Sequence, residues 1–269
     1  MKFFEFAHLK PCTLQLSVNV LGIHKTIRVI TAEKNNPSAI YDDQTINVYN
    51  NATIEIKLPF VPEIAVVQVF NVNDASDKYF EATVKVGVLK IYPNIYAATN
   101  KHLKSYIKFL EEFAPAKNYL ASMASNNEAT TNTTTYSSDC GKFVVNYFDR
   151  IYMDGMATNV SMRVDKSKGA GDMDWCKQLI AEYNIPEFVV IALHEFSHVN
   201  INENPMDELE ADFNSALIYC GLGFDKHYLI TAWEKVYART PTEQNKNRLN
   251  SIYWFVKDFN TEILKRFSK

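Results

Sequence analysis

From Cys12 to Tyr92 apolar residues recur at every second position: Leu14, Leu16, Val18 and Val20, then Ile54, Ile56 and Leu58, then Val84, Val86 and Val88. That alternation gives each run one apolar face, as in a half-buried strand. Asn35-Asn36-Pro37 and Asn73-Asp74 break the runs as turns. About six strands over this length predict a small sandwich or barrel. The period then changes: Leu103, Tyr106, Ile107 and Leu110 are spaced as on one helix face, predicting a helix over 100–120. Lys101, Lys104 and Lys108 on it are followed at once by Glu111 and Glu112, which reads as a solvated face rather than a membrane surface. Residues 122–138, SMASNNEATTNTTTYSS, are small and polar and predict a flexible linker, with a readily cut tip as the sharper reading.

Beyond the linker, 142–152 and 158–165 read as strands around the hairpin signal Asp154-Gly155. A loop over 166–171 and a short helix over 172–183, with Trp175, Leu179 and Ile180 inward, come next. Pro186 suits a first helical turn, Glu187 favours its positive end, and an apolar run from Phe188 to Leu193 continues the helix until Asn200, Asn202 and Asn204 stop it. Asn204 is then the expected N-cap of a second helix, opened by Pro205 with Asp207 and Glu208 in its first turn, and ended by Gly221-Leu222-Gly223. Two further helices follow over 227–238 and 242–267; in the second, Ile252, Phe255, Val256 and Phe259 form an apolar stripe that reads as core. The fold class is therefore α+β, with a β-rich scaffold or docking domain over 1–95, a helix and linker over 96–138, and a domain over 139–269 that joins a small antiparallel sheet to a helical part.

The chemistry lies on the two central helices. His194-Glu195-Phe196-Ser197-His198 is an HExxH pattern. At i and i+4 its histidines share a helix face about 6 Å apart along the axis, within reach of one metal ion. Glu195 stands beside the first ligand, where a carboxylate can take a proton from metal-bound water. A catalytic zinc takes three protein ligands and keeps a fourth position open. Glu208 supplies the third ligand in this reading. Asp212, one turn on and on the same face, is placed to accept the other ring N–H of a ligating histidine, whereas Glu210 points elsewhere.

HExxH followed by Glu208-Leu209-Glu210-Ala211-Asp212, an E-x-x-A-D pattern, resembles the gluzincin metallopeptidases, most closely the family of CAAX prenyl proteases and the heat-shock protease HtpX and their compact soluble bacterial and phage relatives. The resemblance covers roughly 140–250. It implies a zincin-like domain in which His194, His198 and Glu208 hold Zn²⁺, Glu195 is the general base, and Asp212 stands behind the ligands. It further implies that an edge strand of the sheet holds an extended peptide through main-chain hydrogen bonds. The gap from His198 to Glu208 is much shorter than in the membrane-embedded members. Thr240 also stands where the family's downstream His-Pro…Arg element has histidine, which leaves the residue that polarises the scissile carbonyl unassigned among His227, Tyr228 and Arg248. The metzincin pattern is excluded, because Ile201 and Asn204 occupy the positions where it needs Gly and a third His.

Composition narrows the setting. The 269 residues are 47% apolar and 13% aromatic, enough for a core, and the net charge of −3 offers no footprint for nucleic acid or an anionic membrane. The start, MKFFEFAHLKPC, lacks a signal-peptide core, and no run approaches a membrane span, so a cytoplasmic protein is expected. Cys12, Cys140, Cys176 and Cys220 are scattered and read as free thiols. The expected function is zinc-dependent hydrolysis of a peptide or protein substrate. The alternatives are a non-enzymatic, zinc-stabilised assembly protein of phage-virion type, with the β-rich domain docking a protein partner, and an enzyme that cuts its own 122–138 linker.

Overall fold

The alternation in the N-terminal third is realised as seven strands in two antiparallel sheets. The computed structural model describes residues 1–22, 24–92, 103–123, 132–138, 141–148, 151–153, 156–158, 161–165, 170–176, 181–239 and 241–259. The chain divides into two units, Met1–Lys90 with Gly223–Asp225, and Ile91–Leu222 with Lys226–Lys269.

In the first unit β1 (Lys2–Ala7), β6 (Ile64–Asn71), β3 (Lys25–Glu33) and β4 (Asn36–Val48) form one sheet in that order, and β5 (Asn51–Leu58), β2 (Cys12–Val20) and β7 (Phe80–Val88) the other. These are two separate sheets rather than a closed barrel. Along β2 the buried Leu14, Leu16, Val18 and Val20 alternate with exposed Gln15, Ser17 and Asn19, so the pleat alone sorts core from solvent. Ile27 and Val29 of β3 and Ala65, Val67 and Val69 of β6 are buried in the same way. The turn expected at Asn35-Asn36-Pro37 is tighter than that: Glu33 faces Asn36 across a two-residue connection, and Pro37 already belongs to β4. An edge strand tolerates that proline because its missing N–H takes nothing from the ladder. Asp77 ties the β6–β7 loop down by accepting from Lys25, from Asn71 Nδ2 at 2.9 Å and from the Tyr79 amide at 2.8 Å.

In the second unit α1 (Leu103–Met123) is followed by β8 (Asn132–Ser138), β9 (Gly141–Phe148), β10 (Ile151–Met153), β11 (Met156–Thr158), β12 (Ser161–Asp165) and β13 (Ala170–Cys176). The sheet order is β12-β13-β9-β8, and β10 and β11 form a separate ribbon. Three expectations are corrected. The polar stretch read as a linker over 122–138 supplies β8, paired antiparallel with β9, because threonine and tyrosine favour a pleated surface however polar the run. Residues 170–176, placed partly in a loop and partly in a helix, form β13: Asp172-Met173-Asp174-Trp175 alternates with period two, and glycine and aspartate are poor helix formers. The sheet is also mixed rather than wholly antiparallel, since β13 runs parallel to β9. Asp154-Gly155, the expected hairpin tip, lies outside the described residues, but the strands on either side of it pair antiparallel with Met153 opposite Met156.

Among the described residues four helices follow: α2 (Ile185–Asn200), α3 (Glu208–Gly221), α4 (His227–Arg239) and α5 (Glu243–Asp258). α2 starts with a capping box, in which the Asn184 side chain accepts from the Glu187 amide at 2.9 Å and Glu187 accepts from the Asn184 amide at 3.1 Å. From Ile185 to His194 every residue of α2 is buried, as expected of a helix at the centre of its unit. α1 covers one flank through stacked rings, Tyr106 on Phe196 with centroids 4.4 Å apart, and Tyr106 Oη donates to the Ala192 carbonyl at 2.9 Å. The edge strand β12 lies against α2. The second motif helix starts later than expected: Asp207, not Asn204, is the N-cap, accepting from the Leu209 and Glu210 amides. Cys12 and Cys220 are buried free thiols. Among the described residues no helix is long and apolar enough to cross a membrane.

Lys117 is buried on α1, with Nζ 2.9 Å from Asn118 Oδ1 and 5.8 Å from the centre of the Phe188 ring. Burial pushes its ammonium down to about 7, opposed by the charge of Glu187 and reinforced by that of Lys235. A folded-state value below the usual Lys range of about 10.4 means that the unfolded chain holds the proton between those two limits, so this group favours folding more as pH rises through that window. Lys117→Met is therefore expected to stabilise the chain by a few kcal/mol at pH 7, with the gain shrinking toward pH 10. Urea unfolding at both pH values checks it; an equal or negative effect at both would contradict it.

Candidate metal centre

The two histidines lie one turn apart on α2. His194 is buried and His198 partly so, and their Nε2 atoms are 3.0 Å apart. After Ile201 the chain turns back through a short, pinned connection. Asn202 Nδ2 donates to the Asp207 carbonyl at 2.9 Å, Asn214 Nδ2 donates to Asn202 Oδ1 at 3.0 Å, and the carboxylate of Glu210 accepts from the Glu203 and Asn204 amides at 2.8 and 3.3 Å. This brings the first residue of α3, Glu208, over the histidine pair, with Oε2 3.3 Å from His194 Nε2 and 3.6 Å from His198 Nε2. Glu210, on the other side of the helix, serves the turn instead.

The outer ring atoms are held as well. His198 Nδ1 is 2.9 Å from the Pro205 carbonyl, an acceptor only, so the proton sits on Nδ1 and the Nε2 lone pair is free. His194 Nδ1 is 3.0 Å from Asp212 Oδ1, close enough for a charge contact although not aligned for a linear hydrogen bond. Two imidazole lone pairs and a carboxylate oxygen thus converge on one point, an arrangement that repels itself unless a cation or proton stands between them. An ion bonded tetrahedrally to such donors at about 2.0–2.2 Å would space them about 3.3–3.6 Å apart. The two edges from Glu208, 3.3 and 3.6 Å, match that spacing, and the edge between the histidines, 3.0 Å, is shorter. His194, His198 and Glu208 are the group among the described residues that could hold a metal ion.

Electrostatics point the same way. Burial lowers the pKa of His194, but contacts with Asp212 and Glu208 outweigh it and raise the value to about 9, so a proton fills the cationic role when no metal does. Contacts with His194 first, and then His198, hold the Glu208 carboxyl well below its ordinary range. Asp212 is fully buried; burial alone would raise its carboxyl, and contacts with His194 and Arg248 bring it below the ordinary value instead.

No family model, curated protein or solved structure matches the chain. The likeness to gluzincins therefore rests on the residues themselves, and a His-His-Glu cluster does not by itself identify that group.

Arg248, one of three candidates for polarising a carbonyl, is bound in the site instead. Its Nε and Nη2 donate to the two oxygens of Asp212 at 2.7 and 2.9 Å, and Nη2 also lies 2.9 Å from Glu208 Oε2. Tyr237 Oη donates to Asp212 Oδ2 at 3.2 Å. The Trp233 ring meets His194 edge-on with centroids 4.9 Å apart and stacks on Tyr237. Sequence reasoning missed Trp233 and Tyr237, although they stand i, i+4 on α4 and so share the face that reaches the site. The other two candidates, His227 and Tyr228, pair with each other at the start of α4, Tyr228 buried and His227 exposed. Glu195 is partly buried beside His194, and its charge adds to the upward push on His194 and on the Tyr106 phenol.

Proposed function

We propose that the chain is a zinc-dependent peptidase, and the observation that carries this reading is a three-donor cluster, among the described residues, that reaches solvent. Structural zinc sites are closed by four protein ligands, whereas catalytic ones use three. Here two imidazoles and one carboxylate converge, and the Glu208 side chain is 45% exposed, so the cluster reaches solvent. Two imidazole nitrogens and a carboxylate oxygen suit zinc among the common divalent ions. When bound, the ion supplies Lewis acidity, lowering the pKa of water toward about 7 and polarising a carbonyl.

The chain's own residues do the rest. His194, His198 and Glu208 hold the ion. Pro205 and Asp212 keep each imidazole turned with Nε2 inward, and Arg248 keeps Asp212 charged. Glu195, next to a ligand on the same helix, accepts the proton of the attacking water and returns it to the leaving amine. β12, the edge of its sheet among the described residues, packs against α2.

Glu195→Gln is the test. The amide keeps size and hydrogen bonding but cannot take a proton, so turnover of a denatured protein should fall by about 10²–10⁴-fold while one zinc per chain remains. Loss of zinc from that variant would count against the role given to Glu195. Full zinc occupancy in the unmodified chain with no hydrolysis of any unfolded substrate would favour a zinc-stabilised assembly protein instead.

A further inference from the structure

An open cleft of about 640 Å³ runs beside the donor cluster, and Glu208 and Arg248 belong to its lining. One wall is a single face of α5, where Gln244, Asn247, Arg248 and Ser251 stand at i, i+3, i+4 and i+7. The side-chain amides of Gln244 and Asn247 are exposed on that face and engage nothing else among the described residues. From Gln244 to Ser251 the stripe is about 10 Å long at a helical rise of ~1.5 Å per residue. That is the span of about three residues of extended chain at ~3.3 Å each. The opposite wall is the turn into α3, where Met206 and Leu209 are 84% and 39% exposed.

We propose that this cleft is the substrate groove, an inference that rests on the peptidase reading and gives it a substrate class. The groove takes about three residues of an extended, unfolded polypeptide. Gln244 and Asn247 each offer a donor and an acceptor to the peptide backbone, which suits a groove that reads main chain rather than one sequence. Met206 and Leu209 seat one neutral, apolar side chain. An acidic side chain is rejected there, because Asp207 and Glu208 line the same space and the cation of the cleft, Arg248, is already engaged by Asp212 and Glu208. Glu208 thus joins metal and groove: its carboxylate is a donor to the one, and its exposed flank is the end of the other.

The experiment uses the full-length Glu195→Gln chain, loaded with zinc, and fluorescein-labelled oxidised insulin B chain as the unfolded probe, with binding read by anisotropy and zinc measured on each sample. Leu209→Asp puts a carboxylate on the apolar wall, and it is compatible with folding because acidic residues are favoured in the first turn of a helix. Asn247→Ala removes one amide, and Lys246→Ala changes an exposed neighbour on α5 that does not line the cleft. The expected result is a Kd raised tenfold or more by Leu209→Asp, severalfold by Asn247→Ala and not at all by Lys246→Ala, with one zinc per chain throughout. Unchanged binding in Leu209→Asp and Asn247→Ala with zinc retained would overturn the groove and leave the metal site standing. So would failure of the probe to bind the zinc-loaded parent. Binding that is weakened by Leu209→Asp in a chain that never takes up zinc would keep the groove and overturn the peptidase reading beneath it.

Discussion

Glu208→Ala is expected to release the metal, and Glu210→Ala to leave it bound, when both chains are purified in parallel and metal is measured per chain. The two carboxylates are two residues apart on α3 and differ by what they face. Glu208 Oε2 lies 3.3 and 3.6 Å from the two histidine Nε2 atoms, whereas Glu210 accepts from the amides of Glu203 and Asn204 in the preceding turn. Removing one of three ligands costs more than removing an outer partner of a ligand, a change that already lowers affinity by about 10–100-fold. Removing Glu210 takes two hydrogen bonds from a partly exposed turn, worth about 1–3 kcal/mol together. That turn stays anchored by Asn202 on Asp207 and by Asn214 on Asn202. Metal kept by Glu208→Ala would remove Glu208 from the donor set. Metal lost from both would show that the path of the turn, rather than the carboxylate alone, makes the site.

What was legible in the sequence is what local periodicity encodes. Leu14, Leu16, Val18 and Val20 announce a strand because each second residue must leave water, and His194, His198, Glu208 and Asp212 announce a shared site because helical spacing stacks them. What was missed depends on partners far along the chain. β8 looked like a linker because its Thr and Ser residues are polar, and only pairing with β9 makes a strand of it. The parallel pairing of β13 with β9 joins segments more than twenty residues apart, which no window of the sequence can report. Asn204 looked like the N-cap because it precedes Pro205. Its side chain instead accepts from the Met206 amide, and the chain makes one more turn before Asp207 caps α3. Arg248 was visible as a charge, but its attachment to Asp212, 36 residues earlier, was not. Trp233 and Tyr237 drew no reading from the sequence; both are buried, and their place against His194 and Asp212 comes from how α4 packs on α2.

Arg248→Met is expected to be among the most destabilising changes in the helical unit. Asp212 has no exposed surface, and the guanidinium of Arg248 covers both of its oxygens. Without that cation a carboxylate is left in the interior with the Tyr237 hydroxyl and His194 as its remaining described partners. Breaking a buried pair from one side costs about 3–5 kcal/mol. For a chain of this size that corresponds to a fall in Tm of about 10 °C, at about 2–4 °C per kcal/mol. The loss is electrostatic, so it should shrink on acidification: freed from Arg248, the buried carboxyl takes up a proton at higher pH than before and becomes neutral. Arg248→Met combined with Asp212→Asn should recover much of the loss, because a neutral amide needs no cation, and the double-mutant cycle isolates the pair. The zinc content of the double variant then separates two duties of Asp212. If its charge serves only to balance Arg248, zinc stays; if its charge is needed to hold His194 with Nε2 inward, zinc affinity falls about 10–100-fold although the fold has recovered. An Arg248→Met chain that melts with the parent and loses only turnover would mean that Arg248 acts on substrate and that Asp212 is held by other groups.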